Sequence, residues 1–412
     1  MADTWHGNSL KLDASRVIDR RIYVEDRIFE AEQEKLFAKT WQWVGHATEI
    51  PEFGDYLTAT IAGRAVVVAR GEDGAINAFY NTCTHRGAML APRARGKTDG
   101  TFVCLYHGWC FNTDGKLSAV PLPQAYGENL TKNKCYDIPK IRIEMFNEHM
   151  FVSLDPGAAP LIDFLGASAE HIAQATGDAV ALGRVRWTLE GNWKLWHENF
   201  RDNYHPMFAH QVLGLNYQGV KIEGSNHDLG AHSLLTFPSQ GNPSHIISAI
   251  GKITGRPVDA KTTGLLGRRT PDQPQKEPTR HSILAIFPNL DFQYTTHAEA
   301  STVVQTVRPV GRDKAIVEIT VLGLKNDTPE LRRLRLESAL DGQAASGKIS
   351  GDDNEAARRC SIGFSTVNEV RWSNMDRGQQ PGEVGAKNDE YSLRAFYRTY
   401  KTYMGDALQE LA

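Results

Sequence analysis

The sequence predicts an α+β protein of two domains: a small all-β domain, then a larger domain in which helices flank an antiparallel sheet. Its 412 residues exceed what one hydrophobic core usually organises. Residues 41–156 contain short β-branched runs such as Arg64–Arg70, separated by the hairpin dipeptides Asp73-Gly74 and Asp114-Gly115. After Pro156, helical stretches alternate with a second β-rich block, which predicts the larger domain.

The first segment, residues 1–40, is expected to be a helical lead-in that packs on the larger domain. Over residues 16–40, apolar side chains recur at roughly helical spacing at Ile28, Leu36 and Phe37, with charged residues between them. The small domain would then occupy residues 41–156 and the larger domain residues 157–412.

The sheet of the larger domain is predicted from four β-rich runs whose short connections favour antiparallel pairing. These runs are Ile283–Phe287, Asp291–His297, Thr302–Val307 and Ala315–Leu322. Thr328 is a good capping residue before Pro329, so a helix is expected from Glu330 to about Leu340. A second helix is expected near Asp352, and residues 240–275 look loop-like.

Composition excludes several classes of protein. The formal net charge is −3 without a block of Lys and Arg, which argues against nucleic-acid binding. There is no apolar run of about 18 residues and no signal-peptide layout at the start, so we expect a cytoplasmic protein that does not enter membranes. Five unevenly spread cysteines argue against a disulfide framework and favour metal ligation by some of them.

The first metal-binding constellation lies in the small domain. Cys83-Thr84-His85 is followed, after 18 residues, by Cys104-Leu105-Tyr106-His107, so each predicted loop offers one thiolate and one imidazole. Two Cys and two His bind either zinc or a Rieske [2Fe–2S] cluster. Zinc fingers usually pair Cys with Cys and His with His along the chain, so the mixed order favours the cluster. A structural zinc site, or plain core packing of these residues, is the alternative.

The second constellation is Asp202, His205 and His210, at positions i, i+3 and i+8. Asp202 and His205 would share a helix face. His205 and His210 are about 140° apart around an ideal helix, so they can meet at one ion only if the backbone bends, and Pro206 would bend it. Two His and a distant carboxylate make the facial triad of non-haem Fe(II) oxygenases, which leaves coordination positions open.

These motifs carry a family resemblance that extends over nearly the whole chain. Asn81–Leu90 (NTCTHRGAML) and Cys104–Phe111 (CLYHGWCF) resemble the two cluster-binding loops of Rieske non-haem iron oxygenases. The layout is most similar to large (alpha) subunits of aromatic-ring-hydroxylating dioxygenases of the benzoate, terephthalate and salicylate branch. The resemblance implies a Rieske domain with a [2Fe–2S] cluster at Cys83, His85, Cys104 and His107, and a helix-grip-like catalytic domain with a mononuclear Fe(II).

The third iron ligand implied by the resemblance is Asp353, which joins His205 and His210. It lies in the acidic cluster Ser350–Glu355, where the family commonly reads acid-Asp, and this favours the second aspartate. In the alternative interpretation, Asp352 and Asp353 only cap a helix. Asp352 is otherwise a capping residue or a neighbour of the ligands.

Asp202 is expected to act through His205, because a carboxylate beside a metal-bound imidazole fixes its tautomer. The resemblance implies that Asp202 also links to a cluster ligand of a neighbouring protomer. Electrons would then pass from the cluster at His107 through Asp202 and His205 to the iron, and a ring of three protomers would close the cycle. The alternative is a solvated or salt-bridged carboxylate.

The resemblance implies the terminal oxygenase of a multicomponent system that hydroxylates a small aromatic molecule, with an aromatic acid and cis-dihydroxylation expected. O₂ is the co-substrate, and NADH supplies electrons through a reductase, with or without a ferredoxin. The assembly would be an α₃ homotrimer or an α₃β₃ complex with a small β subunit. Alternatives are a Rieske monooxygenase or demethylase, and a non-catalytic electron carrier. The exact substrate, the pocket residues and mono- versus dioxygenation stay open.

Overall fold

A computed structural model describes residues 12–13, 17–126, 130–210, 224–238, 280–296, 302–378, 384–386 and 388–410. The chain divides into two compact units. One is Gln33–Phe164; the other runs to Glu32 and resumes at Leu165. The unit Gln33–Phe164 extends eight residues further at each end than the domain predicted from the sequence, residues 41–156. The predicted domain limits stay a prediction. None of the described helices combines the length and the apolar character that a membrane span requires.

The N-terminal segment contains short strands and short helices. In chain order these are β1 (Leu12–Asp13), β2 (Val17–Asp19), α1 (Arg21–Val24), α2 (Asp26–Ala31) and a π-helical turn, Glu32–Phe37. The expected helix is therefore interrupted: Glu25 has an extended backbone, with φ −85° and ψ 122°, and separates α1 from α2. Its apolar residues are buried as the spacing predicts, since Ile28 and Leu36 are fully buried.

After the π-helical turn, the unit Gln33–Phe164 consists of β-strands joined by loops and short 3₁₀ turns as far as Ser153. Seven strands form a sheet in the order β3-β12-β11-β6-β5-β4-β7, and β10-β9-β8 form a second one. The strands are β3 (Gln42–His46), β4 (Asp55–Ile61), β5 (Arg64–Arg70), β6 (Ile76–Tyr80), β7 (Arg95–Lys97), β8 (Thr101–Val103), β9 (Cys110–Asn112), β10 (Leu117–Ala119), β11 (Lys140–Phe146) and β12 (His149–Ser153). The β-branched run of β5 lies mid-sheet, where Val66, Val67 and Val68 are fully buried. Both Asp-Gly dipeptides join antiparallel strands, as predicted.

The other unit is built on one eight-stranded sheet in the order β13-β19-β18-β17-β16-β15-β14-β21, with every pair antiparallel. A small sheet, β1-β2-β20, lies in the same unit. The strands are β13 (Ala179–Leu189), β14 (Ser225–Leu229), β15 (His232–Pro238), β16 (Arg280–Ile286), β17 (Leu290–Thr296), β18 (Thr302–Gly311), β19 (Lys314–Leu324), β20 (Trp372–Asn374) and β21 (Val384–Ala386). The four predicted runs correspond to β16–β19. The sequence did not reveal β13, because Gly and Arg interrupt its apolar pattern.

Helices accompany this sheet as the predicted α+β class requires. They are α4 (Ser168–Thr176), α5 (Trp193–Asn199), α6 (Pro329–Gln343), α7 (Ser350–Gly363) and α8 (Tyr391–Glu410), while the short helix α3 (Leu161–Leu165) ends the unit Gln33–Phe164. The Thr328 cap is confirmed: its side chain accepts a hydrogen bond from the Leu331 amide at 3.2 Å. The helix expected near Asp352 is α7.

Helix α5 is anchored by a buried charge pair. The Lys194 ammonium donates to Glu32 Oε1 at 2.6 Å, and both side chains are fully buried. Trp193 Nε1 and the Tyr400 hydroxyl also donate to the Glu32 carboxylate. A buried ion pair is tolerable only when further hydrogen bonds satisfy it, as they do here. The pair therefore fixes the start of the segment that leads to Asp202, His205 and His210.

Candidate metal centres

The two cysteine–histidine loops of the all-β unit close in the same way. In the first loop, between β6 and β7, the Cys83 amide donates to Ala88 O and the Gly87 amide donates to Cys83 O, both at 2.8 Å. In the second loop, which joins β8 to β9, the Cys104 amide donates to Trp109 O and the Gly108 amide to Cys104 O, at 2.8 and 2.9 Å. Each cysteine is thus held at the base of a small hydrogen-bonded ring.

Glycine four residues after each cysteine makes these rings possible. Gly87 has φ +75° and Gly108 has φ +66°, in the left-handed region that costs glycine nothing. Asn81 closes the first loop from outside: its Oδ1 accepts from the amides of Leu90 and Ala91 at 3.1 and 2.9 Å. The shared spacing Cys-x-x-x-Gly was visible in the sequence, whereas the role of Asn81 depends on the fold.

The four expected cluster ligands lie in these two loops, a thiol and an imidazole in each. Cys83 and Cys104 are both 2 % exposed, while His107 lies at the surface. The rings of His85 and His107 meet edge to face with centroids 4.6 Å apart. His85 also stacks on Trp109, at 4.8 Å and 4° between the planes. The buried Nδ1 of His85 has no hydrogen-bond partner among the described residues, as expected of a nitrogen that binds metal.

Electrostatics at the loop tips fit a metal cluster. Burial raises the pKa of the Cys83 thiol, and the neighbouring Cys104 raises it further, so two thiolates here would need a compensating cation. Burial lowers the pKa of His85, assisted by His107 and Arg86, which keeps the imidazole in the neutral form that binds metals. Cys110, one residue beyond Trp109, instead donates its thiol to Gly108 O at 3.3 Å.

The histidines of the second constellation lie beyond a helix, which corrects part of the sequence analysis. Helix α5 ends at Asn199, so Asp202 and His205 do not share a helix face. Asp202 lies just before a bend at Asn203 and Tyr204, and its Oδ1 accepts from the Tyr204 amide at 2.6 Å. His205 begins a single 3₁₀ turn with Pro206 at its second position, so the proline bends no helix. Because the helix ends before His205, the two histidines can approach one point without the bend that Pro206 was expected to introduce.

Three side chains nevertheless converge as expected. One ligand atom from each of His205, His210 and Asp353 lies within 4.8 Å of the other two. Both Nε2 atoms face the same oxygen, Asp353 Oδ1, at 3.5 Å from His205 and 3.4 Å from His210. His210 and Asp353 are each 3 % exposed. The donor set is that of a 2-His-1-carboxylate site.

A ring of polar groups holds these three side chains. Asp352 Oδ2 hydrogen-bonds His210 Nδ1 at 3.3 Å, whereas Asp202 Oδ2 lies 3.5 Å from His205 Nδ1, close enough for an electrostatic interaction but without a hydrogen bond. Asn199, the last residue of α5, donates its Nδ2 to Asp353 Oδ1 at 3.2 Å. The residue at the N-cap of α7 is Ile349, which has no side-chain cap, so neither aspartate caps the helix. The sequence had not indicated a role for Asn199.

The site concentrates negative charge. Burial by itself would lower the pKa of His205, but the carboxylates of Asp202 and Asp353 outweigh it and raise the pKa to about 9. A position that stabilises a proton this strongly attracts a divalent cation for the same reason. The arrangement therefore fits a mononuclear metal ion.

Comparison with known families assigns the chain. Residues 40–139 match the Rieske [2Fe-2S] domain, and residues 177–406 match the ring hydroxylating alpha subunit catalytic domain. The chain belongs to the ring-hydroxylating alpha subunit family. As a family member it is a Rieske non-haem iron oxygenase, and its cofactors are a Rieske [2Fe–2S] cluster and a mononuclear iron, which confirms the prediction from the motifs.

Relatives of this oxygenase cover most of its length. It is 30 % identical to the large subunit of anthranilate 1,2-dioxygenase from Acinetobacter baylyi, over 91 % of this chain and 83 % of that protein. It is 27 % identical to the alpha subunit of 2-aminobenzenesulfonate 2,3-dioxygenase from Alcaligenes sp, over 95 % and 94 %. The 28 % identity to toluate 1,2-dioxygenase subunit alpha from Pseudomonas putida spans 84 % and 78 %.

Solved structures show the same fold, which confirms the predicted α+β class. Naphthalene 1,2-dioxygenase with bound indole superposes with a TM-score of 0.77 at 24 % identity, over 96 % of this chain and 93 % of that one. A quaternary ammonium Rieske monooxygenase gives a TM-score of 0.75 at 19 % identity, over 95 % and 96 %. Oxygenases of different chemistry thus share this fold, so the fold alone does not define the reaction.

Proposed function

We propose that this chain is the terminal oxygenase that cis-dihydroxylates a small aromatic acid with O₂ and NADH-derived electrons. The observation that carries the proposal is the convergence of His205, His210 and Asp353 on one point. Three protein ligands leave coordination positions open beside a substrate, which a structural metal site would not do.

The residues proposed to hold the [2Fe–2S] cluster are Cys83, His85, Cys104 and His107. The support is their position at two like-folded loop tips, with both cysteines buried and the Nδ1 of His85 without a partner among the described residues. Two neutral imidazoles replace two thiolates in such a cluster and raise its reduction potential.

His205, His210 and Asp353 are proposed to hold the mononuclear iron, which supplies the redox chemistry of O₂ activation when bound. The protein's part is to orient the donors. Asp202 and Asp352 lie beside the Nδ1 atoms of His205 and His210, which leaves each Nε2 directed at Asp353. The hydrogen bond to Asp352 fixes the tautomer of His210, and the charge of Asp202 beside His205 raises the basicity of that ligand.

Asp202 is further proposed as the bridge to His107 of a second copy of the chain. Its side chain is 19 % exposed while it lies 3.5 Å from His205 Nδ1, so one edge of the carboxylate is available to another molecule. A ring of three protomers would satisfy every such contact, as α₃ or, with a small β subunit, as α₃β₃. A reductase, with or without a ferredoxin, would supply electrons in the cytoplasm.

The substrate class follows from the relatives. Anthranilate, toluate and 2-aminobenzenesulfonate each carry an acid group on an aromatic ring. In the described part of the chain, the three most deeply buried cations are not available to bind that acid group, because each already has partners. Lys194 binds Glu32, Arg335 binds Asp327, and Arg201 binds His197 and Ser233. The acid group would pair elsewhere.

Anaerobic purification followed by product analysis tests this proposal. The expected protein contains about three irons and two acid-labile sulfides per chain and shows a Rieske EPR signal. Incubation with a reductase, NADH and a panel of aromatic acids should yield ring cis-diols that carry both atoms of ¹⁸O₂. A phenol or a demethylated product would show that the enzyme is a monooxygenase or demethylase instead. Zinc without sulfide would overturn the assignment of a Rieske oxygenase.

A further inference from the structure

One face of the eight-stranded sheet carries buried polar side chains with unmatched hydrogen-bonding atoms. Gln305 on β18 is fully buried, and neither its Nε2 nor its Oε1 has a partner among the residues that the structure describes. Within the same described residues, Gln293 Nε2, Gln343 Oε1 and Asp291 Oδ1 are buried and unmatched too. Buried amides left without partners destabilise a fold, so several on one surface suggest that a ligand pairs with them.

Strand register places three of these residues side by side, and a hydrogen bond adds the fourth. Gln305 is the direct partner of Asp291 on β17, and Gln293 follows Asp291 by two residues, on the same face of the strand. Gln343, the last residue of α6, donates its Nε2 to Gln293 Oε1 at 2.9 Å. We call the group of Asp291, Gln293, Gln305 and Gln343 the amide floor.

The amide floor lies beneath the segments that carry the candidate iron ligands. Asp291 Oδ2 is 3.2 Å from Nδ1 of His197, which is on α5, two residues before Asn199 and its contact with Asp353. On the other side, Ser350 Oγ donates to the Gln343 carbonyl at 3.0 Å, and Ser350 is three residues before Asp353 on α7. Both connections lead to the metal centre.

We propose that the amide floor is the polar subsite of the substrate pocket and binds a neutral amino or hydroxyl group on the aromatic ring. The proposal rests on the proposed function, since it takes the ring compound as substrate. Its chemistry follows from the unmatched atoms: the two Nε2 atoms of Gln293 and Gln305 donate, while Gln305 Oε1, Gln343 Oε1 and Asp291 Oδ1 accept. Only a group that both donates and accepts satisfies this set.

A carboxylate fits this subsite poorly. It offers acceptors only and would bring a second negative charge beside Asp291. The nearby cation, Arg201, is already engaged: its Nε donates to His197 Nε2 at 3.2 Å and its Nη1 to Ser233 Oγ at 2.8 Å. The acid group of the substrate therefore binds away from the amide floor, and the floor selects the second substituent.

The test compares ring compounds that differ only in that substituent. Dissociation constants of benzoate, 4-aminobenzoate and 4-hydroxybenzoate, whose second substituent lies across the ring from the carboxylate, are measured by anaerobic titration calorimetry on the holoenzyme and on Gln305→Met, which keeps the volume but removes both polar atoms. The wild type should bind at least one substituted acid about tenfold more tightly than benzoate, a ratio worth ~1.4 kcal/mol. In Gln305→Met this preference should disappear. The two substituted acids distinguish amino from hydroxyl recognition.

Thr320→Val is the matched control. Thr320 on β19 is also fully buried with an unmatched hydroxyl among the described residues, but it pairs with Val304, so it points to the opposite face of the sheet from Gln305. Its removal should leave the ratio unchanged. Gln343→Met, which removes a floor acceptor from the helix side, serves as the second variant if Gln305→Met does not fold.

The outcomes separate this inference from the proposed function. Ring dihydroxylation by the wild type with an unchanged ratio in both glutamine variants would overturn the subsite and leave the proposed function standing. An equal loss of preference in Thr320→Val would also overturn it, because the effect would then be general to the core. If the wild type neither binds nor oxidises any aromatic acid, the proposed function fails and the subsite falls with it.

Discussion

The two metal centres of this chain are built differently. The candidate cluster ligands all lie within residues 83–107, on two loops that close by the same pair of backbone hydrogen bonds. The candidate iron ligands come from two distant segments, at residues 205–210 and at residue 353, and side chains hold them. A centre made by backbone loops depends on few residues besides its ligands, whereas a centre made by side chains depends on their neighbours as well.

The largest effect that this comparison predicts is loss of the cluster in Cys104→Ser. The variant should lose the Rieske EPR signal, both sulfides and about two of its three irons, because a hydroxyl is a poor ligand for iron–sulfur clusters. The mononuclear iron should stay, since its candidate ligands lie in the other compact unit. Metal and sulfide analysis measures both.

Cys110→Ser is the control for that variant, because Cys110 lies in the same loop region but donates its thiol to Gly108 O. It should retain the full signal. Loss of the cluster in Cys110→Ser, or its survival in Cys104→Ser, would show that the ligands are wrongly assigned.

The next largest effect is loss of the mononuclear iron in Asp353→Ala, with the cluster intact. Asp352→Ala should weaken iron binding only about 10- to 100-fold, as removal of a residue that supports a metal ligand typically does. Glu355→Ala is the control on the same helix, since its carboxylate pairs with Arg358 and Arg359. Iron titration of the metal-depleted variants ranks their iron affinities. A greater loss of affinity in Asp352→Ala than in Asp353→Ala would make Asp352 the iron ligand and Asp353 its supporting residue.

A smaller effect is expected from Asp202→Asn. Both metal centres should fill, because His205 keeps its Nε2 beside Asp353. Turnover should nevertheless fall at least about tenfold, since the neutral amide no longer supports the His205 imidazole electrostatically. Single-turnover oxidation of the reduced cluster should slow by the same factor. A normal rate of cluster oxidation in Asp202→Asn would indicate that Asp202 is an ordinary surface carboxylate. Asn203→Ala, a change in the neighbouring bend, is the control and should leave that rate unchanged.

The smallest effect is a shift in the cluster's reduction potential in Trp109→Leu. Trp109 covers one face of His85 and is itself held by the Tyr126 hydroxyl at 3.3 Å. Its removal should admit water, which stabilises the more negatively charged reduced cluster and raises the potential. A rise on the order of 50 mV, nearly tenfold for one electron, is expected. Tyr126→Phe should shift the potential less, and a fall would contradict the shielding role of Trp109.

The difference between the centres also explains which predictions succeeded. The strands β16–β19, the helix capped by Thr328 and the cluster loops follow from local patterns: alternation, a capping residue, and Cys and Gly at fixed spacing. The proposal that Asp202 and His205 share a helix face was wrong, because α5 ends at Asn199. Spacing along a chain describes geometry only where the backbone is regular.

By itself the sequence determined the α+β class, the two cofactors and the residues to consider as their ligands. It could do so because the cysteines and histidines lie close together within each motif, while the family resemblance indicated the distant Asp353. Tertiary structure decided two relations that spacing along the chain does not show. Asp353 meets both imidazoles while Asp352 lies beside His210, and three polar residues share one buried sheet face, where Gln343 of α6 contacts them. Those relations join residues far apart in the chain, and only packing brings them together.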